Sequence, residues 1–517
     1  MMRRRWLVLG SLIAACILSP VIGRAAPPKS GGTLRIAIPG DMTFFNAHQG
    51  PAPGYETFWV WNNIFQSLLT MTPPPALKII PELATSWDVL DAGKTYVFHL
   101  VQGVQFHDGT AFDATAAKWN VDRILDPETK SWVRPYYTDI KQVDVVDTYT
   151  LRVRLKNPSG GLPAALAGYF QGIPMASPHS YETYGKDWAR HPTGTGPYML
   201  KELVPGDHVT LVKNPTYHKP GLPHLNTLEF RIMKDPLTAS TALRTGQIDF
   251  VARVPIQLVK VLESSKHIHV ITGPEMAPTV LFLNMRVTPF DDVRARRAVG
   301  GYGLNRAEIA HVAFQDRTQP LVSVLPRGVP GAVNLNEMYA YDPEKAKSLL
   351  KELGFGKEHP LTVTILVPNH DVTLADVATL IKNQLAKIDV QAQINLLDVT
   401  AEIERVLVKH DYEMVVSNSG SLLDINMRSV SFFKGQQSDY MGVDDPTLEA
   451  LVYQWRQELD PTARDRISAE MQRLIADQLY WVNVTGYPFF QAYQDYVKDF
   501  AFYDQAYLFL ENVWVDK

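Results

Sequence analysis

The strongest constraint on the fold is an alternation of helix and strand patterns in the C-terminal half of the chain. Residues 342–354 read DPEKAKSLLKELG, with Asp342 at a helix N-cap, Pro343 in the first turn and Gly354 as the stop. LTVTILV, LADVATLIKNQLAKI and VQAQINLLD follow as strand, helix and strand, and two amphipathic Asp-Pro helices close the region. This βαβ order predicts an α/β fold with a largely parallel sheet.

The N-terminal half contains shorter strands separated by turns. TLRIAI at residues 33–38 alternates like a half-buried strand, and TYVFHL, VQF and YTLRVRL do so within residues 81–156. DATAAKWNVDRIL interrupts these strands as a helix capped by Asp113. We expect a small mixed α/β domain here. A chain of 517 residues is also too long for one hydrophobic core, which predicts two or three domains.

The N-terminus has the three parts of an export signal. Three arginines at residues 3–5 precede an apolar run over residues 6–22 and a small-residue exit at 23–26. We predict a signal peptide over residues 1–26, with a retained anchor as the alternative. RRRWL is compatible with a twin-arginine signal. IAAC ends at Cys16, the only cysteine, and resembles a lipoprotein cleavage box, so cleavage there with acylation and cleavage near Ala25 both stay open.

Charge and composition exclude several classes of partner. The formal charge is −4, and loss of residues 1–26, with four arginines and no acid, leaves −8. An acidic chain is a poor ligand for nucleic acid or for anionic membranes. Cleavage at Ala25 or Ala26 would also leave no cysteine, and therefore neither a disulfide nor a thiolate zinc site.

The motifs of common enzymes are missing. The sequence contains no GxSxG, HExxH, GxxxxGK[ST] or GxGxxG, and GTGPY at residues 194–198 is typical of a rigid turn. His267 and His269 share one strand face, but two ligands are too few for a metal. The acidic pairs at residues 291–292 and 444–445 are better interpreted as helix starts than as acid–base dyads. We therefore predict no catalytic residue, no cofactor and no metal site.

Several segments together resemble the peptide, nickel and opine class of solute-binding proteins that serve bacterial ATP-driven importers. The resemblance covers nearly the whole chain after residue 26. It is specific as a set, and its segments are PELATSWDVLDAGKTYVFHLVQGVQFHDGTAFDATAAKWNVDRILDP, GTGPYML followed by NPTYH, ALRTGQIDF, LFLNMRVTPFDDVRARRAV, NRAEI and YDPEKAKSLLKELGF.

The resemblance implies a two-lobed, periplasmic-binding-protein-like α/β fold with a hinge and an extra small α/β side domain. The side domain would contain the Asp108-Gly109 turn. The expected divisions are a signal peptide at 1–26, lobe I at 30–53, 193–285 and 485–517, the side domain at 54–192 and lobe II at 286–484. The implied protein is a periplasmic monomer, with a lipid anchor through Cys16 as an open alternative. It captures a small organic ligand between closing lobes and delivers it to inner-membrane ABC permease subunits.

Ligand residues are carried over from three loops that match the family. The first, GDMTFFNA, supplies the first four candidates below, and SNSGSLLDINMRSVSFF and VTGYPFF supply the others. Asp424 and Arg428 are named because either could replace a missing charge. The candidates are Met42, Thr43, Phe44, Phe45, Asn418, Ser419, Gly420, Ser421, Asp424, Arg428 and Tyr487.

Two departures from the family pattern point to the class of ligand. Ser421 stands about where peptide binders keep an aspartate for the ammonium, and VPNHDVT at residues 367–373 has no arginine for the carboxylate. An unpaired ion in a closed cleft costs several kcal/mol. We therefore expect an aromatic or sugar-like ligand rather than a zwitterionic dipeptide. A dipeptide or oligopeptide, an opine and a nickel or haem cargo stay open as alternatives.

Overall fold

The computed structural model describes most of the chain after residue 26. The described residues are 27–42, 45–49, 54–168, 172–369, 371–420, 425–432, 439–503 and 505–517. None of the helices in these ranges is long and apolar enough to cross a membrane.

Lobe I is built on a seven-stranded sheet. Its central strand β1 runs parallel to β10 and β11, whereas the outer pairs are antiparallel. Helices α1 (Tyr55–Ile64), α5 (Pro236–Arg244) and α6 (Ile256–Glu263) accompany it. In sheet order the strands are β12 (Ile268–Thr272), β18 (Phe490–Gln494), β11 (Phe250–Val254), β1 (Thr33–Ile38), β10 (Thr227–Ile232), β9 (His208–Lys213) and β8 (Tyr198–Val204).

Lobe II is built on a five-stranded sheet, β15-β14-β16-β13-β17. The predicted parallel pair is confirmed, because β14 runs parallel to both β15 and β16. Its strands are β13 (Pro278–Leu283), β14 (Leu361–Pro368), β15 (Val390–Leu397), β16 (Met414–Asn418) and β17 (Val482–Gly486). Its helices are α7 (Val293–Arg296), α8 (Arg306–Phe314), α9 (Pro343–Glu352), α10 (Val372–Ala386), α11 (Val399–Glu402), α12 (Ile425–Ser429), α13 (Pro446–Gln457) and α14 (Pro461–Gln478).

The side domain has its own hydrophobic core under a four-stranded antiparallel sheet, β4-β5-β7-β6. Its sheet strands are β4 (Ala84–Leu90), β5 (Thr95–Leu100), β6 (Ile140–Asp147) and β7 (Thr150–Leu155), and its helices are α2 (Ala114–Leu125), α3 (Leu162–Ala167) and α4 (Pro178–Tyr184). Two small two-stranded sheets complete the described strands: β2 (Leu69–Met71) with β3 (Ile79–Pro81), and β19 (Val497–Lys498) with β20 (Trp514–Val515).

The predicted turn and caps explain how these elements begin. At the Asp108-Gly109 turn, Gly109 has φ +83° and its N–H donates to the Phe106 carbonyl at 2.9 Å. Asp113 accepts the Ala116 N–H at the start of α2, and Asp342 accepts the Lys345 N–H at the start of α9. Asp292 and Asp445 cap α7 and α13 in the same way, so the interpretation of both acidic pairs as helix starts is confirmed.

Candidate functional site

Two connections carry the chain between the lobes. Residues 273–277 join β12 of lobe I to β13 of lobe II, and residues 487–489 join β17 to β18. The connections touch, since the Tyr487 N–H donates to the Ala277 carbonyl at 2.8 Å. Because β13 pairs with β16 and β17, it belongs to the sheet of lobe II. Two adjacent crossing segments form a hinge about which lobes can close.

A cavity of about 820 Å³, called here the interlobe cavity, lies beside these crossings. This volume falls within the range of small-molecule sites. Both lobes and the hinge contribute to its wall, so a solute inside would contact each of them. Lobe I and its helix α1 supply Gly40, Tyr55, Glu56 and Arg253, lobe II supplies Phe314, Asp371 and Asn418, and the hinge supplies Tyr487, Pro488 and Phe489.

Three polar side chains meet in the wall of this cavity and form what we call the cleft triad. Arg253 lies in β11 of lobe I, Asp371 is the N-cap of α10 in lobe II, and Tyr487 belongs to the hinge. Arg253 Nη2 donates to Asp371 Oδ2 at 2.9 Å and to the Tyr487 hydroxyl at 3.2 Å. The Tyr487 hydroxyl in turn donates to Asp371 Oδ2. An ion pair therefore joins the two lobes directly.

The surroundings set the protonation states of Arg253 and Tyr487. Burial opposes the charge on Arg253, but Tyr487 and Asp371 outweigh it and raise the pKa of the guanidinium above its ordinary value. Burial, together with the charge of Asp371, raises the pKa of Tyr487 despite Arg253. The other carboxylate oxygen of Asp371 accepts the Thr373 N–H at 3.0 Å. Arg253 is thus a cation, and Tyr487 is a neutral phenol.

The first predicted loop has two described candidates, and both are buried. Met42 and Phe45 are each 1% exposed and belong to the hydrophobic core of lobe I. The Phe45 N–H donates to the Ala189 carbonyl at 3.0 Å. Thr43 and Phe44 lie outside the described residues. Ligand contact by this loop stays a prediction.

A second large cavity, of about 940 Å³, lies between the side domain and lobe I. Its described wall includes Met42, His107, Asp108, His179 and Lys201, and all its lining residues fall between 41 and 205. None of these residues belongs to lobe II. Closure of the lobes would therefore not enclose a solute there, which makes the interlobe cavity the better candidate.

The second predicted loop continues from strand β16. Asn418 lines the interlobe cavity, and the Ser419 N–H donates to the Pro278 carbonyl at 3.0 Å. Gly420, which follows, is half-buried. Arg428 in α12 donates to the Ser419 hydroxyl, and its guanidinium lies 3.8 Å from the centre of the Trp481 ring. Ser421 and Asp424 lie outside the described residues.

Sequence reasoning missed all four charged residues of the cavity wall, Glu56, Lys234, Arg253 and Asp371. Arg253 interrupts the apolar strand FVARV, and a charge within such a run is a usable signal. Asp371 lies in VPNHDVT, the segment noted only for its missing arginine. Across the described ranges, no group of three or more His, Cys, Asp and Glu side chains could hold a metal ion.

Known proteins resemble this chain over most of its length. Residues 78–439 match the family model described as bacterial extracellular solute-binding proteins, family 5 Middle. The glutathione-binding protein GsiB of Pectobacterium atrosepticum is 31% identical over 410 residues, which span 79% of this chain and 76% of that protein.

Solved structures share the fold at lower sequence identity. The periplasmic binding protein DppA of Helicobacter pylori, in complex with the peptide STSA, superposes with a TM-score of 0.84 at 22% identity, covering 95% of this chain and 99% of that one. The oligopeptide-binding protein AppA of Bacillus subtilis, in complex with a nonapeptide, gives 0.82 at 20% identity, covering 95% and 100%.

Proposed function

Because the chain belongs to family 5 of the bacterial extracellular solute-binding proteins, which serve ATP-driven importers, we propose that it captures a small organic solute in the interlobe cavity and delivers it to an ABC permease. The solute we propose is not a simple zwitterionic dipeptide. Members of the family are binding proteins, and the capture step makes or breaks no bond.

The cleft triad is the observation that carries this choice of solute. Arg253 and Asp371 could serve a carboxylate and an ammonium, but they already neutralise each other across the lobes, which leaves Lys234 and Glu56 as the other charged residues of the cavity wall. A dipeptide would have to separate them and rebuild both contacts. Each ion left unpaired in a closed cleft would cost several kcal/mol. A solute that engages neither member leaves the pair intact and avoids this cost.

The rest of the wall suits an aromatic or sugar-like solute. Tyr55, Phe314, Tyr487 and Phe489 are aromatic residues of the cavity wall, against which apolar or ring-shaped molecules can pack. Asn418 and the backbone that follows it would supply hydrogen bonds. Of the predicted candidates, Asn418 and Tyr487 line the interlobe cavity, and the proposal adds Arg253 and Asp371 to them. Ligand contact by the other candidates stays a prediction.

A peptide is the second candidate, and Glu56 is the observation in its favour. Its half-buried carboxylate lines the interlobe cavity at the start of α1, outside the triad, where it would be available to an ammonium group. The relative described above is named for binding glutathione, which carries such a group. Glu56→Gln would weaken a peptide selectively and leave a sugar or aromatic acid unaffected.

A thermal-shift panel on the mature protein tests the proposal. The panel contains dipeptides, glutathione, sugars, opines and aromatic acids, and native mass spectrometry identifies any solute retained on purification. A cognate solute at about 100 times its Kd adds roughly 2.7 kcal/mol to the stability of the folded state. Small-angle scattering should show the lobes closing. If only dipeptides and glutathione stabilise the protein, the second candidate is correct.

The proposal also covers the localisation and the oligomeric state of the protein. We propose a monomer in the periplasm, tethered through Cys16 if cleavage occurs at IAAC. The intact mass of the mature protein decides between an acylated N-terminal Cys16 and a start after Ala25 or Ala26. Sedimentation gives the oligomeric state.

A further inference from the structure

Arg428 is a buried cation for which the described residues supply no counter-ion. Only 5% of the residue is exposed, and burial lowers the pKa of its guanidinium to about 10, which still leaves it charged at neutral pH. Within the described part of the chain, no carboxylate lies at ion-pair distance from it. Its contacts are the Ser419 hydroxyl and the face of the Trp481 ring, and its Nε–H has no partner. A buried donor that has no acceptor lowers the stability of the folded state, so the unpaired Nε–H requires an explanation.

Two other buried arginines of the same chain show what a structural arginine looks like. Arg306 donates to three backbone carbonyls, those of Asn483, Gly301 and Gly300, at 2.6–3.2 Å. Arg296 likewise donates to three carbonyls, at 2.8–3.1 Å. Both guanidinium groups therefore donate their hydrogen bonds to the backbone segments around them. Arg428, in contrast, donates to no carbonyl among the described residues.

A second unpartnered atom lies at the same place. Gln505 is buried at 2% exposure, and its Nε2 lies 3.5 Å from the Ser419 carbonyl while its Oε1 has no partner. Ser419 thus connects the two residues, through its hydroxyl to Arg428 and through its carbonyl to Gln505. It directly follows Asn418, which lines the interlobe cavity. An unused charged donor and an unused acceptor therefore belong to two residues that both contact Ser419, one position after the cavity-lining Asn418.

We propose that Arg428 and Gln505 form a subsite for a carboxylate that carries a neighbouring N–H or O–H group. The Nε–H of Arg428 donates to the carboxylate, and Oε1 of Gln505 accepts the neighbouring donor. Charge-assisted bonds of this kind are about twice as strong as neutral ones. The inference rests on the proposed function and narrows its ligand class to organic acids, which include acidic aromatics, N-acyl amino acids and acidic sugars.

Matched acid and amide probes test the subsite. The probes are hippurate against hippuramide and trialanine against trialanine amide, measured by thermal shift and calorimetry, with sodium acetate against sodium chloride as the smallest pair. We expect each acid to bind at least about 10-fold more tightly than its amide. Acetate should raise the melting temperature more than chloride at equal ionic strength. Equal effects of acid and amide in every pair would overturn the proposal.

Substitutions separate a ligand role from a structural one. Arg428→Met should remove the preference for acids, with a loss of about 10- to 100-fold, whereas Arg428→Lys should retain part of it. The exposed Arg466→Met is the matched control and should change nothing. Without ligand, Arg428→Met should melt at or above the wild-type temperature, because it removes an uncompensated charge, whereas Arg306→Met should melt well below it. If Arg428→Met also melts well below wild type, Arg428 is structural and the proposal fails.

The chemistry of a retained solute distinguishes a failure of the carboxylate subsite from a failure of the proposed function. If scattering shows closure on a retained solute that has no acidic group, the proposed function stands and the carboxylate subsite falls. If acetate binds through Arg428 but no solute closes the lobes, the subsite stands and the proposed function falls.

Discussion

At the scale of single residues, the buried charges differ in how they are neutralised. The triad satisfies Arg253 with a carboxylate and a hydroxyl, whereas Arg306 uses three backbone carbonyls. Sequence alone does not distinguish these cases, because the letter R is the same in both. Arg428 was named from its place in a loop, and its missing partners became visible only in the structure.

The ion pair of the triad predicts the effect of removing its carboxylate. Asp371→Asn keeps a capping oxygen for α10 but leaves Arg253 without a counter-ion. We expect the free energy of unfolding to fall by about 2 kcal/mol, less than for a fully enclosed pair because the Arg253 side chain is 24% exposed. Urea denaturation measures the change. Asp376→Asn, at an exposed position of the same helix, is the control, and equal stability of the two variants would argue against the pair.

Glu82 predicts a dependence of stability on pH. Burial raises the pKa of its carboxyl to about 7, although Lys219 opposes the shift, and the Ser67 N–H donates to it at 2.8 Å. The folded state therefore holds this proton more tightly than the unfolded chain, so its contribution to stability is complete below about pH 4.5 and is lost as the pH rises towards 7. In Glu82→Gln this loss should disappear. Urea denaturation at pH 5 and pH 8 tests it, and an identical pH response in both proteins would contradict it.

At the scale of elements, local sequence signals carried most of the prediction. The caps of α2, α9 and α13 lie at the aspartates that were named, and the strands TLRIAI, TYVFHL and LTVTILV form as expected. Both signals act within a few residues, since a cap reaches the next turn and alternation sets the face of a strand. VQF is an exception, because it forms only the isolated bridge of Gln105 with Ala111 in the hairpin around the Asp-Gly turn.

The cap of α9 predicts a modest and local stability effect. Asp342 accepts the Lys345 N–H at 2.9 Å, and Asp342→Ala would leave that donor without its side-chain acceptor. We expect a loss of about 1 kcal/mol in the free energy of unfolding, with ligand affinity unchanged. Glu358→Ala, at an exposed position just after the helix, is the control. A loss no larger than that of the control would show that the cap contributes nothing.

At the scale of the whole molecule, the side domain touches lobe II as well as lobe I. The Gly160 N–H donates to the Arg456 carbonyl at 3.0 Å, and Arg464 Nη1 donates to the Gly160 carbonyl at 3.0 Å. A Cβ at Gly160 would come within 2.2 Å of the Glu458 carbonyl oxygen. The contact thus depends on a glycine. It joins the side domain to lobe II, on the far side of the hinge from lobe I.

Gly160→Ala should therefore disfavour the contact between the side domain and lobe II, and with it any lobe closure that needs this contact. We expect the variant to fold, because each domain keeps its own core, but to bind its solute more weakly and to give a larger radius of gyration in the presence of solute. Calorimetry and small-angle scattering measure the two effects. Gly356→Ala, where an added Cβ meets no atom within 4 Å, is the control. If Gly160→Ala leaves both the solute affinity and the radius of gyration unchanged, the contact between the side domain and lobe II is not part of closure.

The sequence by itself determined the family, the class of fold and the positions of many helices and strands, because these depend on motifs, periodicity and caps within a short stretch of chain. Only the tertiary structure decided which charges meet. Arg253 and Asp371 are 118 positions apart, and Arg253 and Tyr487 are 234 apart. Such pairs form when two sheets and a hinge bring segments that are distant in the sequence together. No pattern within a short stretch of sequence predicts which of these residues will meet. The ligand chemistry of the cleft is set at this level, since burial and pairing decide which charges remain for a solute.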